Sequence, residues 1–272
     1  MEHKICLVTG ATSGIGFETA AGLLRQKATV VITARDEARG LAAVDRLGSL
    51  GGRVELLLLD LASQASVRRA AAEFLQRFPR LDVLVNNAGA SFFTRRLTAD
   101  GYEATFATNH LGPFLLTTLL AERLARSAPS RVVNVSSLAL ARPDLDDLMS
   151  ERSFDPMTVY SKTKAENILF TAELAERWAG TGVTVNCLHP GVVRTNLVRD
   201  ARGPMKLLFA LFRPFFITPQ KGAQNSVYLA SSPEVEGVTG RFFVGTTATA
   251  TPYLTDEPLR RGLWLASEQL VR

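Results

Sequence analysis

Cysteine is nearly absent from this 272-residue sequence, which contains only Cys6 and Cys187. Both lie in apolar runs of the kind that form buried strands, so they are predicted to be packed thiols in a reducing compartment. Two isolated cysteines exclude a disulfide framework, and no residues at metal-binding spacing accompany them. The sequence therefore predicts neither a disulfide-stabilised domain nor a metal site.

Long hydrophobic runs are also missing. No run approaches the roughly 20 apolar residues that a helix needs to cross a bilayer. The amino terminus, Met1 to Val8, leads straight into a strand-like run, so we expect no signal peptide and no membrane anchor. A cytoplasmic location is the prediction that follows.

Clusters of positive charge are absent, although the net charge is +5. The arginines are spread along the chain without interleaved aromatic residues, which favours a solvated surface over a nucleic-acid interface. No linker or change of composition divides the chain, and 46% of its residues are hydrophobic, enough for one large core. We therefore predict a single domain spanning residues 1–272.

The amino-terminal part contains a strand, a glycine-rich turn and a helix. An apolar run at 4–9 leads into the turn at 9–16, and helical periodicity follows over 17–26. Glycines let the backbone approach a pyrophosphate, whose oxygens can bind the free N–H groups of a helix amino terminus. An ordinary glycine turn is the alternative, but the position between strand and helix favours a dinucleotide site. The predicted contacts are Gly10, Thr12, Ser13, Gly14, Ile15 and Gly16.

The end of the second predicted strand, 29–34, indicates which dinucleotide binds. An acidic residue there would bind the ribose hydroxyls of NAD, but this chain has Ala34 followed by Arg35. A guanidinium fork suits a 2′-phosphate, so the sequence predicts NADP(H). Asp36 comes next and is interpreted as the amino-terminal cap of a helix at 37–47.

Two further strand ends supply candidate cofactor contacts. The run at 53–59 has the continuous apolar pattern of a parallel strand covered on both faces, and its end is a position where a carboxylate can meet the adenine amino group. The strand at 81–85 leads into small residues that would let the backbone lie against the cofactor. The predicted contacts are Asp60, Leu61, Asn86, Ala88 and Gly89.

Tyr160 and Lys164 are a candidate acid–base pair. On a helix predicted from about 160 to 178, side chains four positions apart project from the same face. A nearby ammonium favours the phenolate and lets the hydroxyl pass a proton to or from an alcohol or carbonyl oxygen. Taken alone, such a pair is also typical of a solvated helix surface.

Two polar residues could complete this site. Ser137 follows the predicted strand at 131–135, and open α/β sheets place their chemistry at that end of the strands. Asn109 precedes the Gly-Pro pair at 112–113, which disrupts the helix hydrogen bonds and could leave a water bound at Asn109.

The sixth predicted strand, 183–188, ends in a Pro-Gly turn, after which Thr195 could bond the nicotinamide carboxamide. His189 is extended because it precedes proline, and we expect it to pack rather than react. His110 is likewise expected to be structural, since nothing pairs it with a nucleophile. The predicted cofactor contacts of this segment are Pro190, Gly191, Val193 and Thr195.

The segment at 199–218 is rich in phenylalanine and leucine, with basic residues between them. Such a patch must face something apolar, since exposure to water would be costly. Because it follows the turn at 190–195, we predict a lid over the substrate. A contact with a partner subunit, a membrane surface or the core remains the alternative.

Five motifs occur together in one order: Thr-Gly-x-x-x-Gly-Ile-Gly at 9–16, Asn-Asn-Ala-Gly at 86–89, the serine at 137, Tyr-x-x-x-Lys at 160–164 and Pro-Gly-x-x-x-Thr at 190–195. In this combination the sequence resembles the short-chain dehydrogenase/reductase family over essentially the whole chain. The resemblance implies an α/β Rossmann fold, a doubly wound parallel sheet of seven strands in the order 3-2-1-4-5-6-7.

The resemblance also implies a role for each candidate. Tyr160 is then the acid/base, and Lys164 lowers the pKa of Tyr160 and bonds the nicotinamide ribose. Ser137 holds the substrate oxygen, and Asn109 anchors a proton-relay water.

The segment between Ser137 and Tyr160, which are 23 positions apart, indicates a particular branch of the family. This interval, its Leu-x-x-Leu and the apolar segment at 199–218 are similar to the retinol dehydrogenase-like branch, and Ala-Arg-Asp at 34–36 resembles the NADP site of that branch. We expect this chain to lack the amino-terminal membrane anchor of the vertebrate members of that branch.

We therefore predict NADP(H)-dependent interconversion of a lipophilic alcohol and its aldehyde or ketone. The same chemistry on a polar hydroxy substrate, and a non-catalytic NADP(H)-binding regulator, are the alternatives. Peripheral membrane contact and a homo-oligomer are left open.

Overall fold

An eight-stranded sheet forms the centre of the part of the chain that the computed structural model describes, residues 1–193 and 216–272. The strands are β1 (Ile5–Val8), β2 (Thr29–Ala34), β3 (Arg53–Leu58), β4 (Val83–Asn86), β5 (Ser130–Val135), β6 (Val183–His189), β7 (Arg241–Val244) and β8 (Thr247–Thr249). Their order across the sheet is β3-β2-β1-β4-β5-β6-β7-β8. The strands β1 to β7 pair in parallel, and β8 runs antiparallel to β7.

The predicted fold class and the order of the seven parallel strands are confirmed, but the sheet has one strand more than predicted. Strand β8 returns from β7 through a tight turn in which Gly245 has φ 63°, and Val244 pairs with Thr247 across it. The Thr-Ala-Thr of β8 lies mostly exposed and has no apolar alternation. The sequence of β8 is therefore as typical of a loop as of a strand, and it does not predict the strand.

Helices cover both faces of the sheet. The described helices are α1 (Gly14–Arg25), α2 (Glu37–Leu47), α3 (Gln64–Arg77), α4 (Ala104–Phe106), α5 (Gly112–Leu119), α6 (Ala121–Arg126), α7 (Pro156–Arg177), α8 (Pro219–Ser231) and α9 (Glu257–Leu270). A π-helical turn at Ala107–Leu111 joins α4 to α5. Short 3₁₀ turns lie at Leu145–Asp147, within the predicted insert, and at Pro233–Val235 and Pro252–Leu254. In the two described ranges, no helix has both the length and the apolar character needed to span a bilayer.

Alternating residues of the central strands feed two cores. Leu7 of β1 packs with α3, α5 and α7 on one face, whereas Cys6 and Val8 pack with α1, α2 and α8 on the other. Both faces of the parallel strands are covered, which explains their continuous apolar sequences. On the α7 side, Trp264 of α9 meets the Phe114 ring with centroids 4.9 Å apart. Helix α9 is thereby fastened onto α5 and α7.

The amino-terminal caps set where the helices begin. Asp36 accepts a hydrogen bond from the Arg39 N–H at 2.8 Å and caps α2, as predicted. Helix α7 begins at Pro156, one turn earlier than predicted, because Asp155 caps it by accepting from the Thr158 N–H at 2.8 Å. Tyr160 therefore lies in the second turn of α7 and not at its start.

Helix α7 buries the carboxyl group of Glu166, which is 2% exposed. Its Oε2 has no hydrogen-bond partner among the described residues. Burial raises the pKa of Glu166 from 4.5 to about 8, and the nearby Glu103 carboxyl adds to the shift while the Lys162 ammonium opposes it. Glu166 is therefore protonated at neutral pH in the folded protein.

This carboxyl makes stability depend on pH. Unfolded, Glu166 loses its proton near pH 4.5, whereas the folded protein keeps it to about pH 8, so the folded state binds the extra proton between these values. Stability should fall as the pH rises through this window. We expect Glu166→Gln to remove part of that fall and to raise the melting temperature more at pH 8 than at pH 5.

Thermal unfolding followed by circular dichroism at both pH values measures the effect. The control is Glu122→Gln, which changes a carboxylate that is 75% exposed and should shift the two melting temperatures equally. An equal shift for Glu166→Gln would show that this carboxyl is ionised in the folded protein.

Candidate active site

The glycine turn between β1 and α1 is shaped for close approach of a ligand. Gly10 and Gly14 have φ 67° and 61°, which favours glycine. A Cβ on Gly16 would lie 2.4 Å from the Asn87 Nδ2 and 2.5 Å from the Gly10 carbonyl oxygen. Ser13 caps α1 without a capping bond from its side chain, so the first-turn N–H groups remain for an anion. This cradle fits the pyrophosphate of a dinucleotide.

Asn87, which the sequence did not single out, holds the cradle to the loop that follows β4. Its Nδ2 donates to the Thr9 carbonyl oxygen at 2.8 Å, and the Thr9 Oγ1 accepts from the N–H groups of Asn87 and Ala88 at 3.0 Å each. A Cβ on Gly10 would lie 2.9 Å from Ala88. The predicted contacts of Gly10 and Ala88 thus belong to one surface.

The side chain of Asn86 points elsewhere. Its Nδ2 donates to the Thr117 Oγ1 and to the Asn134 Oδ1, both at 2.9 Å, inside the core. Asn86 could therefore contact a cofactor only through its backbone. Its side chain ties β4 to α5 and β5.

The residues predicted at the adenosine end lie at the ends of β2 and β3. Arg35 is exposed immediately after β2. Asp60 is half-buried after β3, where its Oδ1 accepts from the Ala62 N–H at 3.0 Å, and Leu61 is buried. Thr12 and Ile15 are partly exposed in the cradle. These positions leave Arg35 accessible to a charged ligand.

Lys164 is buried beside Tyr160 on α7. Its Nζ donates to the Val135 carbonyl oxygen at 3.0 Å and lies 5.5 Å from the centre of the Tyr160 ring. Burial lowers the pKa of Lys164 to about 8 and raises that of Tyr160 to about 12. In this geometry, burial outweighs the ammonium, because the lysine is bonded to a carbonyl rather than to the phenol oxygen. The lowered Tyr160 pKa that the resemblance implies stays a prediction.

The two serines after β5 have different surroundings. The Ser136 hydroxyl is buried and donates to the Lys164 carbonyl oxygen at 2.6 Å, which anchors α7. The Ser137 hydroxyl is partly exposed and accepts from the Ala139 N–H at 3.0 Å. Since it accepts from the backbone, Ser137 retains its own proton to donate. Ser137 is therefore the serine that can reach a substrate oxygen.

Asn109 lies in the π-helical turn, 1% exposed. Its Oδ1 accepts from the Ala90 N–H at 2.7 Å, and its Nδ2 donates to the Ala90 carbonyl oxygen at 2.9 Å and to the Thr163 Oγ1 at 3.0 Å. Both amide protons are used, so a relay water would have to donate to an acceptor of Asn109, either its Oδ1 or its backbone carbonyl. Pro113 has no N–H, which leaves the Asn109 carbonyl without its α-helical donor.

Thr163 is a second residue that the sequence did not single out. Besides accepting from Asn109, its Oγ1 donates to the Tyr160 carbonyl oxygen at 2.7 Å. A Cβ on Gly89 would lie 3.5 Å from both the Asn109 Oδ1 and the Lys164 Nζ. The structure thus brings the loop after β4, the π-helical turn and α7 together at the carboxyl ends of the parallel strands, where such sheets bind ligands.

The turn after β6 closes this region. Gly191 has φ 90°, and a Cβ there would lie 2.6 Å from the Ile217 Cδ1. The Ile217 N–H donates to the Val192 carbonyl oxygen at 2.9 Å, and Pro190 is buried next to them. Val193 forms a bridge with Ile217. Thr195, and the predicted lid as far as residue 215, lie outside the described residues.

Comparison with known proteins assigns the family. The model of the short chain dehydrogenase family matches residues 4–205. The chain belongs to this family. It is therefore an oxidoreductase, and the predicted family resemblance is confirmed.

The relatives with curated names include several retinol dehydrogenases. The chain is 49% identical to retinol dehydrogenase 14 of Homo sapiens, with 100% of this chain and 87% of the relative aligned. It is 41% identical to human retinol dehydrogenase 12, with 98% of this chain and 86% of the relative aligned. The predicted likeness to the retinol dehydrogenase branch is thus confirmed.

Solved structures share the fold over most of the chain. An uncharacterised protein from Mycobacterium paratuberculosis is 35% identical, with a TM-score of 0.81 over 99% of this chain and 94% of that one. The Pseudomonas aeruginosa RhlG/NADP active-site complex is 30% identical, with a TM-score of 0.73 over 89% of this chain and 94% of that one. That structure contains NADP in its active site.

We expect Tyr160→Phe to lose nearly all turnover while keeping its affinity for the nicotinamide dinucleotide, because only the hydroxyl is removed. General acid–base help is commonly worth about 10²- to 10⁴-fold in rate. Steady-state kinetics and cofactor fluorescence titration measure the two quantities. A Phe variant within threefold of the parent rate would exclude Tyr160 as the acid.

Proposed function

We propose that this protein interconverts a lipophilic alcohol and its aldehyde or ketone, with NADP(H) as the cofactor. The observation that carries this proposal is that exposed apolar side chains adjoin the candidate site residues at three points of the chain. Leu138, Met157 and Val192 are 55%, 39% and 60% exposed. We call these three residues the apolar rim.

The apolar rim follows from the positions of its members. Leu138 comes directly after Ser137, and Val192 directly after Gly191. Met157 precedes Tyr160 by three residues on α7, so the two side chains share a face of the helix. Exposed apolar groups around one site mark a surface that binds an apolar ligand. A substrate whose oxygen reaches Tyr160 would lay its carbon chain against them.

The chain's own residues supply the proton and the orientation. We assign to Tyr160 the transfer of a proton to the substrate oxygen during reduction and its removal during oxidation. Ser137 donates a hydrogen bond to that oxygen, and the Lys164 ammonium opposes the burial that raises the pKa of Tyr160. The backbone carbonyl of Asn109 holds the water that resupplies the proton. A dinucleotide held by its pyrophosphate at the glycine cradle would supply the hydride from its nicotinamide ring.

The relatives support a lipophilic substrate. Retinol dehydrogenases 14 and 12 are named for a long apolar alcohol, and they align with nearly all of this chain. We extend the class of substrate, a lipophilic alcohol or carbonyl compound, to this protein. The cytoplasmic location remains a prediction from the sequence, which leaves peripheral membrane contact and a homo-oligomer open.

The choice of NADP(H) rests on Arg35. The guanidinium is exposed at the end of β2, while the neighbouring Asp36 carboxylate caps α2 and is bonded to the Arg39 N–H. The acidic side chain is thereby turned to the helix, and the basic one is left to meet a 2′-phosphate.

Two alternatives have weaker support. A gluconate 5-dehydrogenase from Burkholderia cenocepacia, solved with NADP and tartrate, is 26% identical to this chain, so the fold also accommodates polar ligands. The apolar rim opposes that reading here. A non-catalytic regulator would not need Asn109, Ser137, Tyr160 and Lys164, all of which are present.

Arg35→Ala should weaken NADPH binding and leave NADH binding little changed. A hydrogen bond to a charged group contributes about 1.5 to 3 kcal/mol, which corresponds to roughly 10- to 150-fold in affinity. Arg25→Ala is the matched control, since it removes the same charge at the exposed far end of α1. Fluorescence titrations with both dinucleotides give the ratios, and tighter NADH than NADPH binding by the parent would contradict the assignment.

If the apolar rim binds the carbon chain of the substrate, kcat/KM should depend on the length of that chain. Each buried methylene contributes about 0.8 kcal/mol, so kcat/KM for linear aldehydes should climb by up to roughly fourfold per carbon before levelling off. The double variant Leu138→Asn and Met157→Gln keeps side-chain size but should flatten the climb.

The control replaces two exposed leucines on other helices, Leu41→Gln and Leu265→Asn, and should keep the parent's slope. An NADPH-oxidation assay over aldehydes of graded length compares the three proteins. An unchanged slope in the rim variant would remove the support for a lipophilic substrate.

A further inference from the structure

The hydrogen-bond ladder between β5 and β6 does not stop where the strands stop. The Ser130 N–H donates to the Gly182 carbonyl at 3.3 Å, and the Ser136 N–H donates to the Leu188 carbonyl at 2.8 Å. In both bonds the acceptor lies 52 positions after the donor. The next donor in this register is the Leu138 N–H, whose backbone partner would be the carbonyl of Pro190.

A side chain takes the place of that carbonyl. The Leu138 N–H donates to the Nδ1 of His189 at 3.2 Å. The chain turns away after β6 because Gly191 adopts φ 90°, which removes the continuing strand that would have supplied the acceptor. The ring of His189 thus extends the ladder by one bond.

The geometry fixes the state of the imidazole. An Nδ1 that accepts a hydrogen bond carries no proton, so the ring is neutral and its proton is on Nε2. Burial lowers the pKa of His189, which favours the same neutral form. The backbone of His189 is held independently, since the Asn225 Nδ2 of α8 donates to its carbonyl oxygen at 3.2 Å. The ring is therefore a fixed acceptor.

Ser137 lies between two anchored amides. On one side the Ser136 N–H ends the backbone ladder, and on the other the Leu138 N–H is held by His189. The bond that the Ser137 Oγ accepts comes from Ala139, in the same loop, so it would move with the loop. Within residues 1–193 and 216–272, no other hydrogen bond ties the Leu138 backbone to the sheet.

We propose that His189 is a positioning residue of the active site, which holds the Leu138 backbone and thereby fixes the Ser137 hydroxyl against the substrate oxygen. This inference rests on the proposed function, because it assigns to Ser137 the contact with that oxygen. A displacement of about 1 Å in a catalytic group can cost as much as 10²-fold in rate. His189 was expected from the sequence only to pack.

Two substitutions of His189 distinguish the contribution of its hydrogen-bond acceptor from that of its aromatic ring. His189→Asn places its Oδ1 where the Nδ1 was, whereas His189→Phe keeps an aromatic ring without an acceptor. We expect the Phe variant to lose about tenfold in kcat with an unchanged Kd for NADPH, and the Asn variant to stay within threefold of the parent. Equal losses in the two variants, or a loss seen only as weaker NADPH binding, would overturn the proposal.

The hydrogen bond between His189 and Leu138 can also be tested without measuring enzyme activity. Amide hydrogen exchange measured by mass spectrometry on peptides covering 136–141 should be faster in the Phe variant than in the parent and the Asn variant. In the parent, ¹⁵N NMR of His189 should show an unprotonated Nδ1 at neutral pH. Protonated Nδ1, or the same exchange rates in all three proteins, would refute the contact.

The two sets of measurements separate the failure of this inference from that of the proposed function. A parent that reduces no aldehyde or ketone would contradict the proposed function, while exchange and NMR still decide whether His189 holds Leu138. An active parent with indistinguishable Phe and Asn variants would leave the function standing and remove His189 from the site.

Discussion

The geometry of the candidate catalytic residues depends on two hydrogen bonds between the end of β5 and α7. The Lys164 Nζ donates to the Val135 carbonyl, and the Lys164 carbonyl accepts from the Ser136 hydroxyl. Both ends of one residue are thus held by consecutive residues at the end of a strand. Sliding the helix would leave a buried ammonium unpaired, which is costly. Tyr160, one turn before Lys164, and Ser137, one residue after Ser136, take their positions from this junction.

Much of the fold could be predicted because its elements are continuous apolar runs ended by glycine, proline or a capping residue. The bounds of β2, β7 and α9 are those expected from the sequence. Helix α7 begins one turn before the predicted start, and Asp155 followed by Pro156 is the local signal for it, since the pair is a typical helix amino terminus. Strand β8 could not be recognised, since it depends on pairing with β7 and carries no pattern of its own.

Only those parts of the candidate site that consist of short sequence motifs could be predicted. Gly10, Tyr160 and Lys164 carry their chemistry in short spacings, but Asn87 and Thr163 act through partners far away in the sequence, Thr9 and Asn109. The spacing of residues along the sequence cannot predict these hydrogen bonds, because they form only once the sheet has folded. The direction of the Asn86 side chain, into the core, has the same origin.

The parts that would select the substrate are separate from those that hold the fold. Leu138 and Val192 follow the ends of strands β5 and β6, Met157 lies in the first turn of α7, and all three are exposed. Substitution there removes little buried area, so the sheet tolerates it, whereas the residues that orient the chemistry are buried and bonded. His189 connects these two groups of residues. Its ring accepts the hydrogen bond of the Leu138 N–H, and Leu138 is a residue of the apolar rim, while His189 itself ends the buried strand β6.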